Sequence, residues 1–286
     1  EKAVRANDEI SIKDDTLALG QHVRKPGAEI MAGAIPLEAG HLMNPASVSF
    51  LSAIGVSLVS VYPSPIVTII VTGNEFQSSA EAPVWGKVYE SNSAGLRAAL
   101  QQAGISTINI LYCRDDLNDT VTAMQKAIDG SNLVLLTGGV SVGEYDFVVA
   151  AAEKCGVLQH FHRVKQKPGK PLYFGTVADA VVFGLPGNPS SVLTCFYEYV
   201  LEAISYLTKR PVKLKQRHVR LQGHYTKAAG LTHFLKARYE DDVVFALSAQ
   251  ESFRLASFAT ANCLLVAEES VTEIAENSIV NIHLLP

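Results

Sequence analysis

The stretch Leu133-Val-Leu-Leu-Thr-Gly-Gly-Val-Ser-Val-Gly-Glu-Tyr-Asp146 joins four consecutive apolar residues to a glycine-rich turn that runs straight into a helical period. A short, unbroken apolar run is what a strand needs when both of its faces are covered, and the glycines mark a sharp exit from it. The same texture recurs on either side. Ile66-Val-Thr-Ile-Ile-Val71, residues 106–112 and Ala180-Val-Val-Phe183 read as strands, and residues 93–103, 117–128, 146–155 and 190–207 carry helical spacing. This alternation predicts an α/β fold, a doubly wound and mostly parallel sheet, over residues 64–210.

The flanks read differently. Residues 1–63 hold short β-like pieces punctuated by Gly27, Gly33 and Gly40, with a helix expected from Ala46 to Ile54, and form a β-rich accessory module. Beyond Pro211 the helical period disappears, and short strands succeed one another through residues 211–286, which predicts a small all-β, barrel-like domain. The chain is 48% hydrophobic and 18% charged, with a net charge of -4, so it has no overall attraction to nucleic acid or to an anionic membrane surface. No apolar run approaches the ~20 residues of a membrane helix. Cys113, Cys155, Cys195 and Cys263 are widely spaced and form no CxxC pair, and we expect them reduced, in a cytoplasmic protein. The first residue is Glu1 rather than Met, which is expected of a fragment.

In a doubly wound sheet, ligands collect beyond the carboxyl ends of the strands, so the loops that follow the strands are where chemistry is sought. Val71-Thr72-Gly73-Asn74-Glu75 ends a buried strand in a turn and then offers a carboxylate; alone it also reads as a turn with a solvated acid. The Thr137 to Asp146 loop has three glycines, Gly138, Gly139 and Gly143, that let backbone N–H groups approach an anion. Thr137 and Ser141 add hydroxyls, and the helix that follows adds partial positive charge. Ser141 with Glu144 also fits a capping box, and Asp146 suits a helix start. Lys167-Pro-Gly-Lys170-Pro171 holds two ammonium groups three residues apart, an arrangement suited to an intervening anion or to a plain surface turn. In Leu185-Pro186-Gly187-Asn188-Pro189-Ser190-Ser191, Asn188 can cap the helix and Pro189 suits its first position, while Ser190 and Ser191 bring first-turn N–H groups that an oxyanion could occupy.

Carboxylates at Glu75, Asp115 and Asp146 beside such an anion cradle point to a bridging cation, and Mg²⁺ shared with a phosphate or pyrophosphate is the simplest solution. Asp115 and Asp116 also read as solvated loop acids. His160 and His162 share a strand face without a third metal ligand nearby, and no Gly-x-Ser-x-Gly elbow supports a serine nucleophile.

Taken in order, these loops resemble the MoeA/gephyrin E-domain family of molybdopterin molybdenumtransferases. The likeness begins at the Gly27 to Gly33 pattern. It runs through Thr72-Gly-Asn-Glu75, the Gly138 loop, Lys167-Pro-Gly-Lys-Pro171 and Leu185-Pro-Gly-Asn-Pro189, and ends at Ala249-Gln-Glu-Ser252 and Ser257-Phe-Ala-Thr-Ala-Asn262. It implies a MogA-like α/β domain that binds adenylylated molybdopterin beside molybdate, with Mg²⁺-dependent release of AMP as molybdenum is inserted. Within that resemblance Glu75 and Asp146 match acids near Mg²⁺, and Asp115 matches a further functional acid. Thr72, Gly73, Gly138, Gly139, Ser141, Gly143, Pro186, Gly187 and Asn188 are implied to bind the pterin substrate, and Lys167, Lys170, Ser191, Lys236 and Ser252 to bind molybdate. A homodimer is implied, with other proteins of molybdenum-cofactor biosynthesis as further partners.

The chain departs from the family pattern at Asn74 for an aspartate, Ser190 for a hydrophobic residue, Lys236 for an arginine and Glu251 for a glycine. The family's amino-terminal segment, with its Met-Asp-Gly-Tyr-Ala motif, is expected to be absent. The competing readings are a MogA-like molybdopterin-binding or adenylyltransferase module and a non-catalytic scaffold.

Overall fold

The computed structural model describes residues 2–77, 80–139 and 147–286. The chain divides into two units, Glu1–Ser60 and Val61–Pro286.

In the first unit, strands β1 (Ala3–Ala6) and β2 (Glu9–Ile12) pair antiparallel about Asn7, whose positive φ turns the hairpin. The other regular element is α1 (Pro45–Ala53). Its start follows from local chemistry. Pro45 occupies the first turn, and Asn44 and Ser47 exchange bonds in a reciprocal capping box. Both β-strands are exposed throughout, and among the described residues of this unit Ser47 and Leu51 are buried.

The second unit opens with the predicted sheet. Its strands are β3 (Val67–Thr72), β4 (Ile108–Cys113), β5 (Leu133–Thr137), β6 (Leu158–His162), β8 (Tyr173–Val177) and β9 (Ala180–Leu185), with a short strand β7 (Gln166–Lys167) outside the sheet. The spatial order is β4-β3-β5-β9-β8-β6. The first four strands are parallel, and β8 runs antiparallel between β9 and β6.

Helices cover both faces. On one side lie α2 (Asn92–Gln102) and the helical stretch after β9, packed on Val67, Ile69, Leu133 and Leu185. On the other lie α3 (Leu117–Gly130) and α4 (Phe147–Lys154), packed on Ile70, Val134 and Leu136. Alternate strand residues feed the two cores, which is why these strands read as unbroken apolar runs. In α3 the buried residues Thr120, Ala123, Met124 and Ala127 follow the helical spacing, and Asp116 caps the start by accepting from the N–H groups of Asn118 and Asp119.

The helix expected over 190–207 is three pieces: α5 (Pro189–Cys195), one π turn (Phe196–Val200) and α6 (Leu201–Thr208). Lys209, in the left-handed region, ends it ahead of Pro211. The π turn carries polar side chains that reach the next domain and the short strand β7. Glu198 meets His283 at 2.8 Å, and the Tyr199 hydroxyl donates to the Gln166 carboxamide oxygen.

That next domain is a closed barrel of β10 (Lys215–Leu221), β11 (Thr232–Glu240), β12 (Val243–Ala246), β13 (Cys263–Ala267) and β14 (Ile279–Leu284), with the short helix α7 (Ala256–Thr260) before β13. Four antiparallel pairings run β10-β14-β13-β11-β12, and a parallel pairing of β12 with β10 closes the ring. Period-two residues fill it: Val219 and Leu221, Leu235 and Ala237, Cys263 and Leu265, Val280 and Ile282. The strand β7, donated from the loop between β6 and β8, adds to β11 with Gln166 opposite Thr232 and Lys167 opposite His233, so the Lys167 loop is fixed by both domains.

Candidate functional site

The carboxyl ends of β3, β5 and β9 stand side by side, since Val71 is level with Thr137 and Thr137 with Leu185. The three turns that leave them therefore share one place. There is no room for side chains between them: a Cβ on Gly138, whose φ is +89°, would stand 2.7 Å from both the carbonyl and the hydroxyl oxygen of Thr72. Gly139 is also left-handed, and its missing Cβ would lie 3.1 Å from Val148. Around these turns is a cleft of about 670 Å³. Of the residues expected to bind substrate it is lined by Thr72, Gly73, Gly138, Gly139, Pro186, Gly187 and Asn188, together with Glu75, Asp115 and Ser191. Ser141, Gly143 and Asp146 lie outside the described residues.

The acids separate by role. Asp116 is a helix cap, and Asp115 turns one carboxylate oxygen inward, where it is enclosed without a hydrogen-bond partner among the described residues. Burial, then the neighbouring charges of Glu75 and Asp116, holds the Asp115 carboxyl above its ordinary value. Two carboxylates facing one cleft, with the charge of Glu75 disfavouring the ionisation of Asp115, form a setting that a divalent cation relieves. Among the described residues no group of three metal-ligating side chains occurs, so ligand oxygens would have to complete the coordination, as is usual for Mg²⁺. Asn74, in the place of an acid, accepts from the Asp115 N–H at 3.4 Å and so steadies the loop that carries it.

The expected oxyanion residues are placed less uniformly. Ser191 is buried at the cleft wall in the first turn of α5. Asn188 does not cap α5 with its side chain; its amide donates 2.8 Å across the domain boundary to the Ser252 hydroxyl. The Ser190 N–H, expected to be open to an oxyanion, donates to the Ser252 carbonyl at 3.0 Å and is occupied. Lys167 and Lys170 are exposed, and neither lines the cleft, to which their loop contributes Pro171.

Lys236 is the clear departure. It sits between the barrel-filling Leu235 and Ala237, so it points to the outer face of β11, where residues 247–254 close over it. It is 2% exposed, and its ammonium donates to the carbonyls of Ala249 at 2.7 Å, Arg254 at 3.0 Å and Glu251 at 3.3 Å. Three donors meet three acceptors, leaving none for molybdate. The Glu251 carboxylate pairs with Arg254 at 3.3 Å on the surface and is not among the residues lining the cleft.

Several lining residues carried no signal in sequence: Phe76, Val88, Tyr89, Asn92 and Phe253. Asn92 opens α2 and ties it to the Gly187 carbonyl at 2.8 Å, while Glu90 takes the Ser93 N–H at 2.8 Å in the role of a cap. The string Glu90-Ser-Asn-Ser93 was the available sign, since capping residues ahead of a helical period also mark the turn that faces a ligand.

Comparison with known proteins adds to this geometry. Residues 68–206 match the family profile of the probable molybdopterin binding domain, and residues 218–285 match the MoeA C-terminal region, domain IV. A molybdopterin molybdenumtransferase of Haemophilus influenzae is 30% identical over 270 residues, covering 92% of this chain and 67% of its own length. One from Synechocystis is 29% identical over 241 residues, and the alignment spans 81% of this chain and 59% of that relative. The crystal structure of a molybdopterin biosynthesis MoeA protein from Pyrococcus horikoshii superposes with a TM-score of 0.79 at 27% identity, covering 99% of this chain and 70% of the other. With both domain matches in order and a relative this similar over most of either chain, the chain belongs to the MoeA family of molybdopterin molybdenumtransferases.

Proposed function

We propose that this chain inserts molybdenum from molybdate into adenylylated molybdopterin with release of AMP, as a step of molybdenum-cofactor biosynthesis. The observation that carries the reading is the meeting, in one cleft, of the glycine turns Gly73, Gly138 and Gly139 with Glu75, Asp115 and Ser191. The backbone N–H groups of the glycine turns would hold phosphate oxygens, which approach them closely because no Cβ intervenes. Ser191 would present its hydroxyl and its first-turn N–H to molybdate, and Lys167 and Lys170 would add charge from the adjoining loop. Glu75 and Asp115, with Asp146, would hold Mg²⁺. When bound, that ion supplies neutralisation of charge at the phosphoanhydride. We further propose a cytoplasmic homodimer, with domain boundaries near residues 63 and 210.

The direct test is to incubate the protein with adenylylated molybdopterin, molybdate and Mg²⁺ and to measure free AMP. AMP release that depends on both molybdate and Mg²⁺ is the expected result. Accumulation of adenylylated molybdopterin from molybdopterin and ATP would instead establish a MogA-like adenylyltransferase.

A further inference from the structure

Among the described polar groups of the cleft, Asn92 is one that the glycine turns, the two carboxylates and Ser191 leave without a task. Asn92 lines the cleft at the first position of α2 and is 8% exposed. Its amide nitrogen donates to the Gly187 carbonyl at 2.8 Å. A carbonyl only accepts, so turning the amide round would set two oxygens against each other, and the orientation is fixed. The amide oxygen presented by this orientation is enclosed and has no partner among the described residues. Buried oxygens are rarely left so, because an unmade bond costs more than a made one gains.

What this oxygen can receive is narrow. A phosphate would meet oxygen with oxygen, and the carboxylate of Glu90 already occupies the start of the same helix through the Ser93 N–H and hydroxyl. The group that fits is a neutral N–H or O–H donor. The cleft also offers flat and apolar surface from Phe76, Val88, Tyr89 and Phe253, which suits a planar ring. A second enclosed polar atom without a partner among the described residues, the hydroxyl oxygen of Thr137, a residue 1% exposed, lines the same cleft. We propose that Asn92 is a specificity-determining residue that accepts a hydrogen bond from the N–H edge of the pterin ring, with Thr137 as a second contact. The proposal rests on the functional reading above and assigns the heteroaromatic ring to the Asn92 side of the cleft and the phosphate to the Gly138 turn.

The test measures equilibrium binding of adenylylated molybdopterin and, separately, of AMP to the wild-type chain and to Asn92→Leu and Asn92→Asp. Leucine removes the acceptor, and aspartate keeps an acceptor while losing the donor to Gly187. Loss of about tenfold in affinity for adenylylated molybdopterin is expected in Asn92→Leu, the size of one net hydrogen bond, with AMP affinity unchanged. Asn92→Asp keeps the acceptor but sets a carboxylate oxygen against the Gly187 carbonyl, and it should lose less affinity for adenylylated molybdopterin than Asn92→Leu. If Asn92→Leu does not fold, Asn92→Ser, too short to reach the ring, takes its place. Equal losses for both ligands, no loss in either, or aspartate as damaging as leucine would overturn the proposal, the last by showing that the tether to Gly187 is what matters. A wild-type chain that binds AMP but not adenylylated molybdopterin would overturn the functional reading together with this one.

Discussion

Two regions were expected to hold anions, and they differ in how they are built. The turns after β3, β5 and β9 stand together in one cleft, while the segment of the barrel around Lys236 and Ser252 is closed on itself. In the first region the backbone fixes the site. Parallel neighbours of equal register end at one level, so whatever follows them must meet, and glycine keeps the approach open. In the second, a side chain was to do the work, and its direction depends on which face of β11 it occupies and on what folds over it. Loops beyond parallel strands are positioned by topology, whereas a polar side chain on a barrel strand is claimed by whatever backbone acceptors come within reach.

Asp115→Asn probes the first region most severely. AMP release should fall by about 100-fold or more, the scale of losing a charged group at a reacting phosphate. Stability should move the other way. The Asp115 carboxyl is held above its ordinary 3.8, so between 3.8 and its folded value the native state binds more protons than the unfolded one, and stability falls as pH rises through that window. Above the window the full cost of the charge is present, so the asparagine variant should have the higher Tm at neutral pH. The two curves should meet once the pH is below 3.8, where both states are protonated. Unchanged AMP release would remove Asp115 from the chemistry.

Gly138→Ala tests the claim that the turn depends on the absence of a Cβ. With a left-handed φ and Thr72 oxygens 2.7 Å from the new carbon, it should cost about 1–3 kcal/mol in urea unfolding. A neutral result would mean that the turn yields readily.

For the second region, Lys236→Met should lose about 1–3 kcal/mol, because the Arg254 carbonyl loses its donor and the carbonyls of Ala249 and Glu251 keep only the Ser257 hydroxyl and the Arg254 N–H, while molybdate affinity stays the same. A variant of unaltered stability with weakened molybdate binding would return Lys236 to the site. The smallest effect belongs to the link between the regions. A double-mutant cycle on Asn188→Ala and Ser252→Ala should give a coupling of about 0.5–1.5 kcal/mol. Zero coupling would show that the contact has no weight in solution.

Much of the α/β fold was legible because its strands are buried on both faces and its helices keep strict spacing. Leu133 to Leu136 and the buried stripe Ala123, Met124 and Ala127 are examples. The π turn at Phe196–Val200 was not, since its residues keep an apolar helical character and only the hydrogen-bond pattern changes. Within the site, the glycines and Asp115 announced themselves by type and position. Asn92 and Phe253 did not: one lies at an ordinary helix start, and the other is an exposed aromatic on a barrel loop, brought to the cleft from a distant part of the chain.

Residues 1–60 show the opposite limit, for an apolar content that includes Ile10, Leu19, Met31 and Ile35 produces no core cluster among the described residues, and those four side chains are exposed.

By itself the sequence determined the alternation of strand and helix, the glycine exits from β3 and β5, and the order of motifs that marks the family, because each depends on neighbours along the chain. The tertiary structure decided the rest: that Asp115 faces inward while Asp116 caps, that Asn188 bonds Ser252 rather than its own helix, and that Lys236 is consumed by three carbonyls. The physical reason is the same in each case. A polar side chain's role is set by which unpaired partner folding brings within hydrogen-bond reach, and that partner is often remote in sequence.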